Sequence, residues 1–190
     1  MKSKDFFRLL VNPFSRIAGW EASVIGVILV VLSAIIGRYS YVCFDGVLDI
    51  HIAQKLSMGG ALGMQLISTF TLVLVMWIAG LITSKGFRFV DILGTMTFAR
   101  IPLLIPALIG FFVKAPNIQD ILANPLSILA SSSFIIFALL AFIFIVWEVV
   151  LIVFGLKVSC NISGGKLAGS VIIGILASEI ISKILIHFIL

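Results

Sequence analysis

Five long apolar stretches, separated by polar connections, dominate the chain. They run over about 22–37, 61–83, 91–113, 131–156 and 167–190. A helix needs roughly 20 apolar residues to cross the hydrocarbon core of a bilayer. Isolated strands cannot satisfy their backbone groups in lipid, and none of the five stretches shows the two-residue alternation of a barrel strand. The predicted fold is all-α: a polytopic membrane protein, a bundle of five transmembrane helices. Residues 1–20, MKSKDFFRLLVNPFSRIAGW, read as a cytoplasmic or interfacial N-terminal arm, and residues 21–190 as the five-helix transmembrane domain. In the arm, Lys2, Lys4, Arg8 and Arg16 supply positive charge, and Phe6, Phe7, Leu9, Leu10, Phe14 and Trp20 supply apolar anchors. Such a segment either lies along the headgroups or serves only as a positive flank that orients the next helix. Pro13 interrupts any helix there. The segment is not read as a cleavable signal, because the apolar run after it is long enough to span.

Composition sharpens this picture. Of 190 residues, 62% are hydrophobic and 11% charged, against roughly 25% charged in a soluble domain. A water-soluble globule of this length cannot bury that much apolar surface, so lipid is the solvent and the bilayer the first partner. The net charge of +5 comes from basic residues scattered singly between apolar runs. That pattern argues against nucleic acid and for topology signals and anionic headgroup contacts. One side of the predicted bundle holds Lys2, Lys4, Arg8, Arg16, Lys85, Arg88, Lys157 and Lys166; the other holds Arg38, Lys55 and Lys114. By the positive-inside rule the N-terminus is cytoplasmic and the C-terminus external, in a cell membrane. Cys43 and Cys160 fall on opposite sides, which disfavours a disulfide between them.

Candidate chemistry sits at depth. In the third stretch, ILGTMTFARIPLLIPALIGFF, Arg100 lies roughly 14 Å in from Asp91 at 1.5 Å per helical residue. Glu148 lies roughly 12 Å in from the matching end of the fourth span, and Glu179 roughly 18 Å in from the start of the fifth. Each charge alone costs about 2.5–3.5 kcal/mol near a helix centre. Pairing removes much of that cost, so Arg100 is expected to face the bundle interior and meet Glu148, Glu179 or both. Lys183 stands four residues after Glu179 and can satisfy it within its own helix. The resulting polar centre is either a buried ion pair that orients helices, or part of a transport pathway or partner-sensing switch. Pro102 and Pro106 remove backbone donors beside it and mark a helix kink, as at discontinuous transporter helices but also in inert ones. Ser170, Gly174, Ser178 and Ser182 form a small-residue stripe at four-residue spacing, a helix-packing face within the bundle or between protomers. Gly26, Ser33 and Gly37 form a looser one.

Other combinations carry less. Cys43, Asp45, Asp49 and His51 fit no standard zinc spacing, so no metal is assigned. Leu48, Ile52 and Leu56 recur every four residues and predict an amphipathic interfacial helix. SGGK at 163–166 lacks the first glycine and the final Ser or Thr of a phosphate-binding loop. The sequon Asn161-Ile162-Ser163 lies on the predicted cytoplasmic side, where it is not glycosylated. No nucleophile-elbow, zincin or paired catalytic carboxylate motif occurs, which points to no enzyme and no cofactor.

NPFSRI near the start, FDGVLDIH in the first connection, DILGTMTFARIPLL in the third span, and Trp147 followed by GLKVSCNISGGKLAGS resemble the Yip domain family. These are Rab-GTPase-interacting integral membrane proteins, and the likeness is to their small bacterial members. The resemblance covers nearly the whole chain. It implies a five-helix membrane domain without catalytic activity, acting in membrane organisation or in a complex through helix and partner packing, with a protein partner or a homo-oligomer. The eukaryotic relatives carry a sizeable cytoplasmic N-terminal region; here about twenty residues precede the first span, which argues against a GTPase partner. The alternative is a small multi-pass transporter or channel built around Arg100, Glu148 and Glu179.

Overall fold

The computed structural model describes residues 3–52, 56–114 and 118–190. Lys2 and Lys55 of the charge count lie outside them. Helix α1 (Ser3–Val11) and a 3-10 turn (Pro13–Ser15) precede the first crossing, α2 (Gly19–Ser40). Two short strands, β1 (Val42–Cys43) and β2 (His51–Ile52), follow, and α3 (Met58–Thr83) crosses back. The third crossing is segmented: α4 (Phe89–Ala99), a 3-10 turn (Ile101–Leu103), α5 (Leu104–Ile109) and a second 3-10 turn (Gly110–Phe112). After α6 (Ile118–Ala123) and a 3-10 stretch (Pro125–Ala130), α7 (Ser132–Cys160) and α8 (Gly164–Ile189) complete the bundle. Five of these crossings are long and apolar enough to span a membrane. The chain is an all-α multi-pass membrane protein.

Each helix begins or ends a few residues away from the limits of its apolar run. Backbone capping sets these ends, whereas lipid thickness sets the apolar run. Ser57 Oγ accepts from Gly60 N at 2.9 Å and starts α3. Tyr41 (φ 60°) and Asn161 (φ 50°) stop α2 and α7 in the left-handed region.

The third crossing is the central element, with 61% of its apolar window buried against 28% or 39% for each of the others. Close backbone approach puts it there. A Cβ on Gly26 of α2 would lie 2.5 Å from Thr97 Oγ1 and 2.6 Å from Phe98 N. One on Gly94 of α4 would lie 2.5 Å from the Gly19 carbonyl oxygen. On the other flank, α8 closes on α3 through Gly174, whose Cβ would meet Met76 Sδ at 2.7 Å. Ser170, Ser178 and Ser182 are buried along the same helix. Small residues are what allow such approach where lipid gives no hydrophobic drive between helices.

Two segments differ from expectation. The end of the N-terminal arm folds into the bundle. Phe14 is buried and stacks edge-on against Phe98 at 5.7 Å, and Trp147 Nε1 donates to the Leu10 carbonyl at 2.8 Å. Helix α1 stops two residues before Pro13. The interfacial helix expected over Leu48, Ile52 and Leu56 is absent among the described residues; β2 begins at His51 instead, with Cys43 opposite His51 and Val42 opposite Ile52. The reason lies in packing. Leu48, Ile52 and Leu56 contact three different apolar clusters rather than sharing one helix face. Their period of four reports three separate burials.

Gly26→Ala is expected to cost about 1–3 kcal/mol, since a methyl group there meets backbone that cannot move aside. Gly59→Ala, whose Cβ meets nothing within 4 Å, is the matched control and should be neutral or mildly stabilising. Thermal unfolding of the two variants in one detergent measures the difference.

Candidate functional site

Arg100 sits where α4 ends. Its amide bonds back to the Thr97 carbonyl at 3.2 Å, and the Leu103 amide bonds to the Arg100 carbonyl at 3.1 Å. Pro102 and Pro106, both buried, follow in the 3-10 turn and in α5. The prolines withhold two amides, so the helical ladder is broken into tighter turns at this depth. The guanidinium beside the break is buried inside the bundle, 1% exposed.

Five acceptors from three directions surround it. Nη1 donates to Glu148 Oε1 of α7 at 2.9 Å and to the Val47 carbonyl. Nη2 donates to Ser68 Oγ at 3.0 Å and to Gln65 Oε1 at 3.3 Å, both from α3, and to the Gly46 carbonyl at 3.3 Å. Gln65 Nε2 in turn donates to Ser33 Oγ of α2 at 3.1 Å. Glu148 is 0% exposed, so the pair is fully withdrawn from solvent and from lipid. Arg100 Nε and Glu148 Oε2 are buried without a hydrogen-bond partner.

Glu179 does not touch Arg100. Its Oε2 accepts from the Val47 and Leu48 amides at 2.7 and 2.9 Å. The same short peptide stretch thus offers its carbonyls to the buried cation and its amides to the carboxylate of α8. Gly46 makes room for this, because a Cβ there would lie 2.3 Å from Glu179 Oε1. Lys183 Nζ lies 3.4 Å from Glu179 Oε1 and 2.5 Å from Asp49 Oδ2, clamping α8 to the connection a second time. The connection between the first two crossings is therefore a plug seated in the polar centre. Through it, all five crossings meet in one network.

At the rim of the plug, Asp45, Asp49 and His51 bring potential ligand atoms within 4.8 Å of one another, although their spacing fits no metal pattern. Opposite charges lie within the cluster, and Asp45 Oδ1 is buried without a hydrogen-bond partner. His51 Nδ1 is 3.5 Å from both Asp45 Oδ1 and Asp49 Oδ1, and Lys183 neutralises Asp49 from the other side. The hydrogen bond to Asp49, aided by one to Cys43, pushes the His51 pKa up to about 10. His51 and then Lys183 hold the Asp49 carboxyl below its usual range. Burial raises Asp45.

Gln65, Ser68 and the carbonyls of Gly46 and Val47 were not singled out in the sequence, and Ser33 was read only as part of a small-residue packing stripe. Gln65 carried a signal, as an amide inside an apolar span must find a partner. The two carbonyls carried none. Pro102 and Pro106 mark the helix break, and the Ser170–Ser182 stripe faces inward beside the centre without entering it.

No family model matches the chain, and neither curated proteins nor solved structures give a significant match.

Arg100→Ala is expected to destabilise the protein by about 3–5 kcal/mol, the cost of leaving a buried carboxylate uncompensated. Equilibrium unfolding in detergent measures it. A second expectation concerns pH. A histidine with a raised folded-state pKa stabilises fully below its ordinary value of about 6.5, and that contribution fades as pH rises toward about 10. The melting temperature should fall across this window, and His51→Asn should flatten the fall. A slope unchanged in the variant would assign it to another group.

Proposed function

We propose that this chain is a non-enzymatic integral membrane protein of the Yip family type, acting in membrane organisation or as a subunit of a complex through helix and partner packing. The closure of the polar centre carries this reading. The Arg100 guanidinium is committed to five acceptors that belong to the bundle itself. None of five surface cavities among the described residues is lined by Arg100 or Glu148. A group that binds a moving solute must be reachable and must exchange partners; this one holds a plug in place. The motifs that resemble the Yip family supply the family type. In this reading the bias of Lys and Arg between the two sides puts the N-terminus in the cytoplasm and the C-terminus outside, and the resemblance to small bacterial family members makes the membrane a bacterial inner membrane.

One observation favours the alternative, a small transporter or channel. Arg100 Nε and Glu148 Oε2 are buried and unpartnered, and such atoms in a membrane protein can belong to a proton or ion path. Reconstitution separates the two. Proteoliposomes holding the purified protein should show proton, sodium, potassium and chloride fluxes equal to those of empty vesicles. Selective flux that Glu148→Gln abolishes, in a variant that still folds, would replace the packing reading with transport. Exchanging the two charges is the weaker test here, because it would turn a carboxylate toward the Gly46 and Val47 carbonyls. A topology reporter fused after Leu190 should signal from outside; a cytoplasmic signal reverses the orientation.

A further inference from the structure

The small residues at the start of α8 do not all serve packing. Gly174 is pressed against Met76, but an added Cβ at Gly165 or Gly169 would meet nothing within 4 Å. These two glycines instead open a groove between α3 and α8. It has a volume of about 360 Å³, with Ile78, Ile82 and Ile173 on its walls and Lys166 at its end. From Gly165 to Gly174 it runs about 14 Å along the helix, close to the roughly 15 Å of hydrocarbon in one leaflet. A second cavity of about 390 Å³ adjoins it, sharing Thr83 and Lys166. That cavity is polar, lined by Ser84, Lys85, Asn161 and Ser163.

The polar cavity is electropositive. Among the described residues neither Lys85 nor Lys166 has an acidic partner. The first turn of α8 carries no acidic residue, and Ser163 makes no side-chain cap, so the opening amides of the helix add to the positive field. An apolar slot one leaflet deep that ends in two unpaired lysines matches a single molecule with an acyl chain below and a negative charge above.

We propose that this is a binding site for one anionic phospholipid, with an acyl chain between α3 and α8 and its phosphate held by Lys85 and Lys166. The site lies at the end of the bundle opposite Asp49 and Lys183. It does not depend on the packing or transport reading of the polar centre. A zwitterionic lipid offers the same chain without the net negative charge, so the lysines confer preference and the groove confers affinity.

Native mass spectrometry of the detergent-purified chain tests this with equimolar phosphatidylglycerol and phosphatidylcholine of identical chains. The expected result is one retained lipid per chain, with phosphatidylglycerol enriched about tenfold. Lys85→Ala with Lys166→Ala should bring the two lipids to parity. Gly169→Leu, which fills open space and leaves the fold intact, should reduce retention of both. Soluble glycerol 3-phosphate should fail to displace the lipid, because it lacks the chain. Equal retention of both lipids by the unaltered protein, a preference that survives loss of both lysines, or displacement by glycerol 3-phosphate would overturn the proposal.

Discussion

A guanidinium cannot shed its proton, and in this bundle it is also cut off from water and lipid. That constraint organises the rest of the structure. A buried carboxylate or amine can neutralise itself when its partners are poor; Arg100 cannot. Its charge has to be met by acceptors brought in from elsewhere. Glu148 supplies the opposite charge, but a carboxylate covers only part of a planar fork of donors. The remaining directions are filled by Gln65 and Ser68 from α3 and by two carbonyls from the connection after α2. A polar segment that would otherwise lie in the headgroups is thereby drawn into the bundle.

The position of the helix break follows from the same demand. In an unbroken helix the main-chain groups are spent on one another, and a side chain leaves at the fixed angle of its turn. Pro102 and Pro106 dissolve that regularity just after Arg100, and the chain passes through tighter turns. On the plug, backbone takes the part that side chains play elsewhere. The Val47 carbonyl faces the cation while the Val47 and Leu48 amides face Glu179. Opposite poles of the peptide groups thus separate the two charges. Charge is relayed from α4 to α8 without direct contact, and Gly46 is the residue whose missing side chain lets the carboxylate reach the amides.

Much of this was legible from the chain. Hydropathy alone locates the five crossings, because lipid permits few alternatives. Depth along the spans places Arg100, Glu148 and Glu179 at one level, and in the structure the first two touch while the third is reached through Val47. What stayed hidden were main-chain partners. Carbonyls and amides are common to every residue, so no pattern of side chains marks which ones turn inward. Leu48, Ile52 and Leu56 show the converse problem: an apolar period of four arose because each meets a different cluster, and periodicity cannot tell one shared face from three separate ones. The arm misled in the same way. Phe14 reads as an interfacial anchor, and only tertiary packing against Phe98 reveals it as core.

The hydrophobic effect, which in water would sort inside from outside, does little to order these helices. Lipid chains are as apolar as leucine, so Leu139, Phe142 and Ile173 lose nothing by facing outward. Two kinds of contact can still discriminate between arrangements. One is close backbone approach at Gly26, Gly94 and Gly174, which tolerates few registers because a shift of one residue sets a side chain against backbone. The other is the polar centre, where a shift leaves a charge unpaired in a medium that penalises it heavily. The glycines act between neighbouring helices, α2 with α4 and α3 with α8. Arg100 and the plug act across all of them at once. Pairwise contacts fix helices two at a time, and the central cation ties α3, α4, α7 and the plug to one another in a single network.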